Sequence, residues 1–388
     1  MGLLVPIAAL FAECCAAVWL NRSRIETQNL PKPRVAILVP AHNEAQEIGS
    51  TLSALLPQVA TADRLVVIAD NCTDETAEVA RNSGAIAIER QDLDRRGKGY
   101  ALDYGLRFLE ADPPDIVVMV DADCHIQPGT IDRIARIAFE SGRPVQATYL
   151  MERPPTPTPR DSISALAFLV KNLVRPSGLA QLGLPCLLTG TGMAFPWSVI
   201  ATAPLASGNI VEDMQVAVDL AIAGYPPMFC ADAHAIGRLP QQQQAAKSQR
   251  TRWEHGHLQT LLTQTPRLFK AAIEQKRWDL VAIALDLCVP PLSLLVAMWV
   301  AIMGATFLAG TLGFSWNPAT FLALEGLLIF IAIVGAWAKF GRTQIPLLTL
   351  LAVPFYILWK IPLYLAFLVK PQTKWVRTER DAAKVPPA

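Results

Sequence analysis

The run DIVVMVDAD, Asp115 to Asp123, decides the fold. Five of its first six residues are apolar, which reads as a buried strand, and the strand stops on two carboxylates, Asp121 and Asp123. Working outward, Arg34–Val39 and Arg64–Ala69 have the same character, and Ala85–Glu89 is a shorter strand. Between them, Glu44–Leu56, Thr73–Ser83 and Lys98–Leu109 are helical in period. Strand, helix, strand, helix with short links gives an α/β class with a mostly parallel sheet.

In such a sheet ligands bind beyond the carboxyl ends of the strands. The residues there are Pro40–Glu44 after the first strand, Asp70–Asp74 after the second, and Asp121–Asp123 after Val120. Three acidic clusters thus meet on one edge. No GxGxxG or GxxxxGK loop follows any of these strands, which disfavours dinucleotide cofactors and P-loop chemistry. Two carboxylates spaced as Asp121 and Asp123 can share a divalent ion that keeps positions open for diphosphate oxygens. Taken alone, the same spacing fits a surface turn or a cap.

Two later segments carry polar chemistry. Glu212 and Asp213 open the apolar-periodic stretch Met214–Ala223, either as acids favoured by a helix dipole or as a general base beside a bound diphosphate. Gln249, Arg252 and Trp253 lie in SQRTRWEHGH, of helical period, which also suits a membrane-interface belt. His255 and His257, two apart on a helix, diverge by about 200° and fit packing better than a shared metal. Thr189–Gly192, TGTG, is either a tight turn before a strand or a place where backbone approaches a ligand.

The chain ends are different. Of 388 residues, 52% are hydrophobic and only 17% charged, with mean hydropathy +0.32, so the apolar excess belongs in a membrane. Gly2–Leu20 is apolar but for Glu13, and the basic residues Arg22 and Arg24 follow it. That order favours a retained anchor over a cleaved signal and puts the following chain in the cytosol. Leu287–Gly310 and Thr320–Ala338 are long enough to span. Ile345–Val369 is broken by Pro354, Lys360 and Pro362, and is expected to be partly re-entrant, leaving the basic tail 370–388 inside. Asp286, Glu325 and Lys360 are the membrane or interfacial charges, Lys360 by snorkelling. The expected organisation is an anchor at 1–24, an α/β domain at 31–265, an interfacial linker helix at 266–286, a transmembrane region at 287–369 and the tail. A net charge of +1 argues against nucleic acid as a partner. Seven scattered cysteines without CxxC spacing imply neither a disulfide framework nor a zinc ribbon.

PAHNE at 40–44, ADNCTDET at 69–76, RGKGYAL at 96–102, DAD at 121–123, ED at 212–213 and QRTRW at 249–253, in this order, resemble family 2 glycosyltransferases over about residues 33–260. The flanking apolar segments look like those of cellulose, hyaluronan and poly-N-acetylglucosamine synthases. The resemblance implies a GT-A fold, a Rossmann-like mixed sheet, and inverting transfer from a nucleotide sugar. It implies a donor site of Pro40, Glu44, Asp70, Lys98 and Asp121, with Glu44 and Asp70 toward a uracil and ribose, and Lys98 toward phosphate. It implies a divalent metal, Mg2+ or Mn2+, at Asp123, and Asp213 as catalytic base. Glu212, Gln249, Arg252 and Trp253 fall on the acceptor and diphosphate side.

The function so implied is transfer from a UDP-sugar to a polysaccharide or lipid-linked acceptor, at the cytosolic face of the plasma or inner membrane, beside membrane lipids and polysaccharide-assembly partners. The alternative is a non-catalytic sugar-nucleotide-binding subunit of such an assembly. RLPQQQQAAK at 238–247 departs from the gating-loop sequence of polymer-forming synthases, which puts processivity in doubt.

Overall fold

The computed structural model describes residues 2–369 except 21–25, 28, 153, 155, 209 and 239–242. The basic flank at Arg22 and Arg24, residues 239–242 of the 238–247 segment and the tail from Lys370 therefore lie outside the described residues. The chain forms two compact units. One holds Arg24–Glu152 and Leu187–Gly256, and the other Met1–Ser23, Arg153–Cys186 and His257–Gln372. The α/β span expected as continuous over 31–265 thus gives up Arg153–Cys186, whose apolar side chains Ile163, Leu166, Leu169, Val174 and Leu179 are buried among helices.

In chain order, α1 (Leu4–Trp19) belongs to the helical unit. The sheet unit follows with β1 (Val35–Ala41), α2 (Ile48–Leu55), β2 (Arg64–Asp70), α3 (Thr76–Asn82), β3 (Ile86–Arg90), α4 (Lys98–Leu109), β4 (Ile116–Met119), β5 (Cys124–Ile126), α5 (Thr130–Ser141) and β6 (Val145–Glu152). The helical unit then takes α6 (Pro159–Leu169) and α7 (Arg175–Gln181). The sheet resumes with β7 (Met193–Pro196), α8 (Trp197–Ile200), α9 (Glu212–Ile222) and β8 (Met228–Arg238). Residues of α10 (Gln243–Gln275) are shared between the units, and α11 (Trp278–Cys288), α12 (Leu292–Thr311), α13 (Asn317–Ala336) and α14 (Val353–Val369) are helical-unit elements. The segment expected as one linker helix at 266–286 holds parts of two helices, the end of α10 and most of α11.

The sheet has eight strands in the order β3-β2-β1-β4-β7-β6-β8-β5. β3, β2, β1 and β4 are parallel, as their apolar runs imply. Beyond β4 the sheet is mixed: β7 runs antiparallel to β4 and to β6, β8 is parallel to β6, and β5 antiparallel to β8. β7 enters after the α6–α7 excursion and a tight turn, not through a strand–helix–strand crossover, so the parallel rule does not bind it. Ile37, Leu38, Val66, Val67, Val117 and Val118 are fully buried, each contributing about 1.5–3 kcal/mol. The chain reverses its winding direction between β1 and β4, which opens a crevice at their carboxyl ends.

In the helical unit, α1 buries Ile7, Leu10, Glu13, Cys14 and Ala17. Arg175 of α7 donates to Glu13 Oε2 at 2.6 Å and is ion-paired with Asp286 of α11, whose backbone oxygen it also reaches at 2.6 Å. All three are buried, so removing one partner strands a charge, at a cost of about 3–5 kcal/mol. A side chain at Gly178 would collide with the Glu13 carbonyl, which keeps α7 flush against α1. Among the described residues, three segments, Leu292–Thr311, Asn317–Gly341 and Leu347–Val369, are long and apolar enough to cross a membrane, whereas α1 at 16 residues is shorter, about 24 Å. Glu325 is buried in α13. Lys360 does not snorkel: it is 2% exposed, its ammonium over the rings of Tyr356 and Trp359 at 5.6 and 5.9 Å.

Candidate active site

The crevice holds a cavity of about 190 Å³. β1 brings Pro40, Ala41, His42 and Glu44, β2 brings Asp70 and Asn71, and the loop into α4 brings Arg96, Gly97 and Lys98. The turn after β4 brings Asp121, Ala122 and Asp123, β6 brings Tyr149, and α10 brings Gln249, Arg252 and Trp253. Every expected donor and metal residue, with Gln249, Arg252 and Trp253, lines this one space.

The loops after β1 and β2 share a construction. Asn43 and Asn71 have φ of 54° and 52°, a left-handed backbone that asparagine tolerates better than most residues. Asn43 Oδ1 accepts from Thr73 N at 2.7 Å and Glu44 N donates to Thr76 Oγ1 at 2.8 Å, lacing the two loops together. His42 Nδ1 lies 2.7 Å from the Asp70 carbonyl oxygen.

Asp70 is set by Arg90, which sequence reasoning did not single out. Arg90 donates to Asp70 Oδ1 at 2.5 Å, to Asp92 Oδ2 at 3.0 Å and to the Arg95 carbonyl at 2.8 Å, and it lies over the Tyr100 ring at 5.7 Å. Asn71 Nδ2 adds a second donor to Asp70 Oδ1 at 3.0 Å. One Asp70 oxygen is thereby committed to the protein. Nothing local in sequence marks Arg90 as Asp70's partner; it is reached only because β2 and β3 are adjacent and parallel.

Lys98 is the electrostatic centre. Its ammonium is ion-paired with Asp121, donates to the Gly190 carbonyl at 2.6 Å and lies 3.7 Å from Glu212 Oε1. Burial opposes its charge, but Asp121 and Glu212 outweigh that and raise its pKa. Burial pushes Glu212 up to about 7 against the pull of Lys98, with Asp213 adding to the rise. Glu212 and Asp213 do not line the cavity but stand behind Lys98: a side chain at Gly190, φ +92°, would meet Asp213 Oδ2 at 3.2 Å and Lys98 Nζ at 3.5 Å. The turn at 189–192 is fixed by Gln146, which accepts from Thr189 N at 2.8 Å and donates to the Thr191 carbonyl at 2.9 Å. Thr191 Oγ1 in turn accepts from Asp121 N at 3.1 Å.

Among the described residues, ligand atoms of Asp121, Asp123 and Cys124 lie within 4.8 Å of one another. Burial and the neighbouring carboxylates push the Cys124 thiol well up, and it donates toward Asp123 Oδ1 at 3.7 Å. Two of the three are carboxylates, and oxygen donors fit a hard divalent cation better than sulfur does. Tyr149 is buried beside this group, its phenol pKa raised by burial. Gln249 is 5% exposed, and its Oε1 has no hydrogen-bond partner among the described residues. A buried carbonyl in that state wants a donor, and the adjoining cavity is where one would come from. His255 and His257 are buried; burial, then Lys171 and Arg175, lowers the pKa of His257.

Residues 33–256 match the family model described as glycosyltransferase like family 2. The chain belongs to that family. Its fold agrees with that of a mannosyltransferase, PcManGT, from Pyrobaculum calidifontis, solved with GDP-Man and Mn2+, at TM-score 0.50 and 21% identity, covering 87% of this chain and 100% of that one. A 4,4'-diaponeurosporenoate glycosyltransferase of Staphylococcus aureus is 35% identical over 100 residues, 25% of this chain and 26% of its own length. An uncharacterized protein of Methanocaldococcus jannaschii is 28% identical over 122 residues, 31% of this chain and 49% of its own. The chain thus spans from about a quarter to about half of the curated relatives it matches. The likeness to a family 2 glycosyltransferase holds; none of these matches carries the narrower likeness to cellulose or hyaluronan synthases.

Proposed function

We propose that this family 2 glycosyltransferase transfers a sugar, with inversion, from a nucleotide sugar to a lipid-borne or polysaccharide hydroxyl at the cytosolic face of a membrane. The observation that carries the reading is the meeting of two chemistries in one cavity: the Asp70, Lys98, Asp121 and Asp123 cluster on one side, and Gln249, Arg252 and Trp253 on the other.

Asp70, oriented by Arg90, and Glu44 take the nucleoside, with a uracil N–H or ribose hydroxyl donating to Asp70. Lys98 and Arg252 face the diphosphate, where charge develops as the bond from the anomeric carbon to phosphate oxygen breaks. A divalent cation, Mg2+ or Mn2+, held by Asp123 with Asp121 would neutralise that diphosphate when bound. Asp213 takes the acceptor hydroxyl proton while the acceptor oxygen bonds the anomeric carbon from the opposite face, and the nucleoside diphosphate departs. Trp253 offers a ring to a sugar and Gln249 Oε1 accepts from a ligand hydroxyl. Three apolar segments of spanning length support work beside the bilayer. The S. aureus relative, named for transfer to 4,4'-diaponeurosporenoate, supports a lipid-borne acceptor over a polymer.

The test is product analysis. Detergent-solubilised protein is given labelled UDP- and GDP-sugars, with and without a membrane lipid extract. The proposal expects label in the organic-soluble fraction only when lipid is present. High-molecular-weight label from donor alone would replace the lipid acceptor with a growing polysaccharide.

A further inference from the structure

We infer that α14 does not cross the membrane: it begins and ends on the side where α12 begins, and its outer stripe is a docking surface for the acyl chains of that one leaflet. All the residues concerned belong to the helical unit.

The argument starts with depth. α12 and α13 form an antiparallel hairpin through the turn at Leu312 and Gly313; Trp299 Nε1 donates to the Leu322 carbonyl at 2.8 Å, and Gly326 leaves room for the Trp299 ring. The end of α13 is therefore on the side where α12 starts. Trp337 Nε1 donates to the Ile345 carbonyl at 2.8 Å, so the link into Leu347–Ala352 stays on that side, and α14 starts there.

The other end is fixed by one hydrogen bond. Ser293 Oγ and Tyr364 OH are 2.5 Å apart. Ser293 is the second residue of α12, with 18 helical residues beyond it, about 27 Å. Tyr364 has only five described residues beyond it in α14, about 8 Å, against a hydrocarbon core of about 30 Å. Lys370, Lys374, Arg377 and Arg380 follow in sequence, so the apolar run cannot be prolonged. Length and composition alone permit a third crossing; the Ser293–Tyr364 pairing leaves no distance for it.

The faces of α14 fit a helix lying in one leaflet. Phe355, Leu358, Leu365 and Leu368 are 73%, 62%, 56% and 78% exposed and recur at helical spacing. Tyr356, Lys360 and Tyr364, at spacing four, are buried on the opposite face. The polar groups are turned into the protein and the aliphatic stripe outward, as one-sided lipid contact requires.

The test is sidedness labelling of the full chain in membranes. Single cysteines are introduced by Lys276→Cys, Ser315→Cys and Val369→Cys, each compared with the parent, and treated with an impermeant maleimide in intact cells and in inside-out vesicles. Lys276 precedes α11, too short at 11 residues to cross, so it marks the α12-start side; Ser315 lies in the far-side turn. The inference expects Val369→Cys to label in the same preparation as Lys276→Cys and opposite to Ser315→Cys. Labelling together with Ser315→Cys overturns it. Should lipid shield position 369, reporters active only in the cytosol or only outside, joined after Ala388, decide the side in the same way. Neither readout requires turnover, so the outcome is separate from that of the proposed transferase reaction.

Discussion

The Lys98 ammonium is ion-paired with the Asp121 carboxylate, and the same ammonium reaches Glu212 at 3.7 Å and the Gly190 carbonyl at 2.6 Å. One cation thus holds together the turn after β4, the turn before β7 and the start of α9. Replacing it by Lys98→Met leaves Asp121, Glu212 and Asp213 without that counter-charge. The expected outcome is a thermal midpoint lowered by a loss of about 3–5 kcal/mol, and weakened donor binding. Thermal unfolding and donor titration of the purified variant check both.

Glu212 gives a pH signature. Its pKa in the folded protein is about 7 and its ordinary value 4.5, so folding favours the protonated form. Its contribution to stability is full below pH 4.5 and is lost as pH rises through 7. Glu212→Gln is expected to flatten the stability-against-pH curve of the metal-free protein between those values. An unchanged curve would mean that other groups set it.

Arg90 acts through Asp70, which it holds at 2.5 Å. Arg90→Gln is expected to raise KM for the donor nucleotide while leaving kcat nearly constant, and Arg90→Lys to restore part of the loss. A fall in kcat with unchanged KM would place Arg90 outside donor binding.

Gly99 opens α4 where a side chain would run into the Leu205 carbonyl and come within 2.9 Å of the Ser207 carbonyl. Both partners are backbone, so relief requires the loop or the helix to move. Gly99→Ala is expected to destabilise the protein by about 1–3 kcal/mol through overpacking, and to shift Lys98 one residue away. Unfolding curves of this variant beside those of Gly49→Ala, where only a Val79 methyl at 3.9 Å would be met, measure the difference.

What was legible in sequence followed local physics. β1, β2 and β4 are apolar runs ending on acids, and α4 occupies Lys98–Leu109 as its period implies. α2 begins at Ile48, not Glu44, and α3 at Thr76, not Thr73. Asn43 and Asn71 take left-handed backbone, and the loops there are laced by Thr73 N donating to Asn43 Oδ1 and Glu44 N donating to Thr76 Oγ1. Those contacts are some 30 residues apart, and no local pattern carries them. Arg90, Tyr149 and the Glu13–Arg175–Asp286 cluster escaped for the same reason: each matters through a partner brought near by the fold.

The central claim is that Asp213, which stands behind Lys98, is the base of a transfer reaction whose donor is held in the cavity. The most direct measurement is nucleoside-diphosphate release across UDP- and GDP-sugars with Mg2+ or Mn2+, run on the natural protein, on Asp213→Asn and on Asp123→Ala, with donor binding measured in parallel. The account predicts release with one donor, lost in Asp213→Asn while that variant still binds the donor, and metal-dependent donor binding weakened in Asp123→Ala. Full release by a folded Asp213→Asn, or loss of its donor binding together with its turnover, would contradict it.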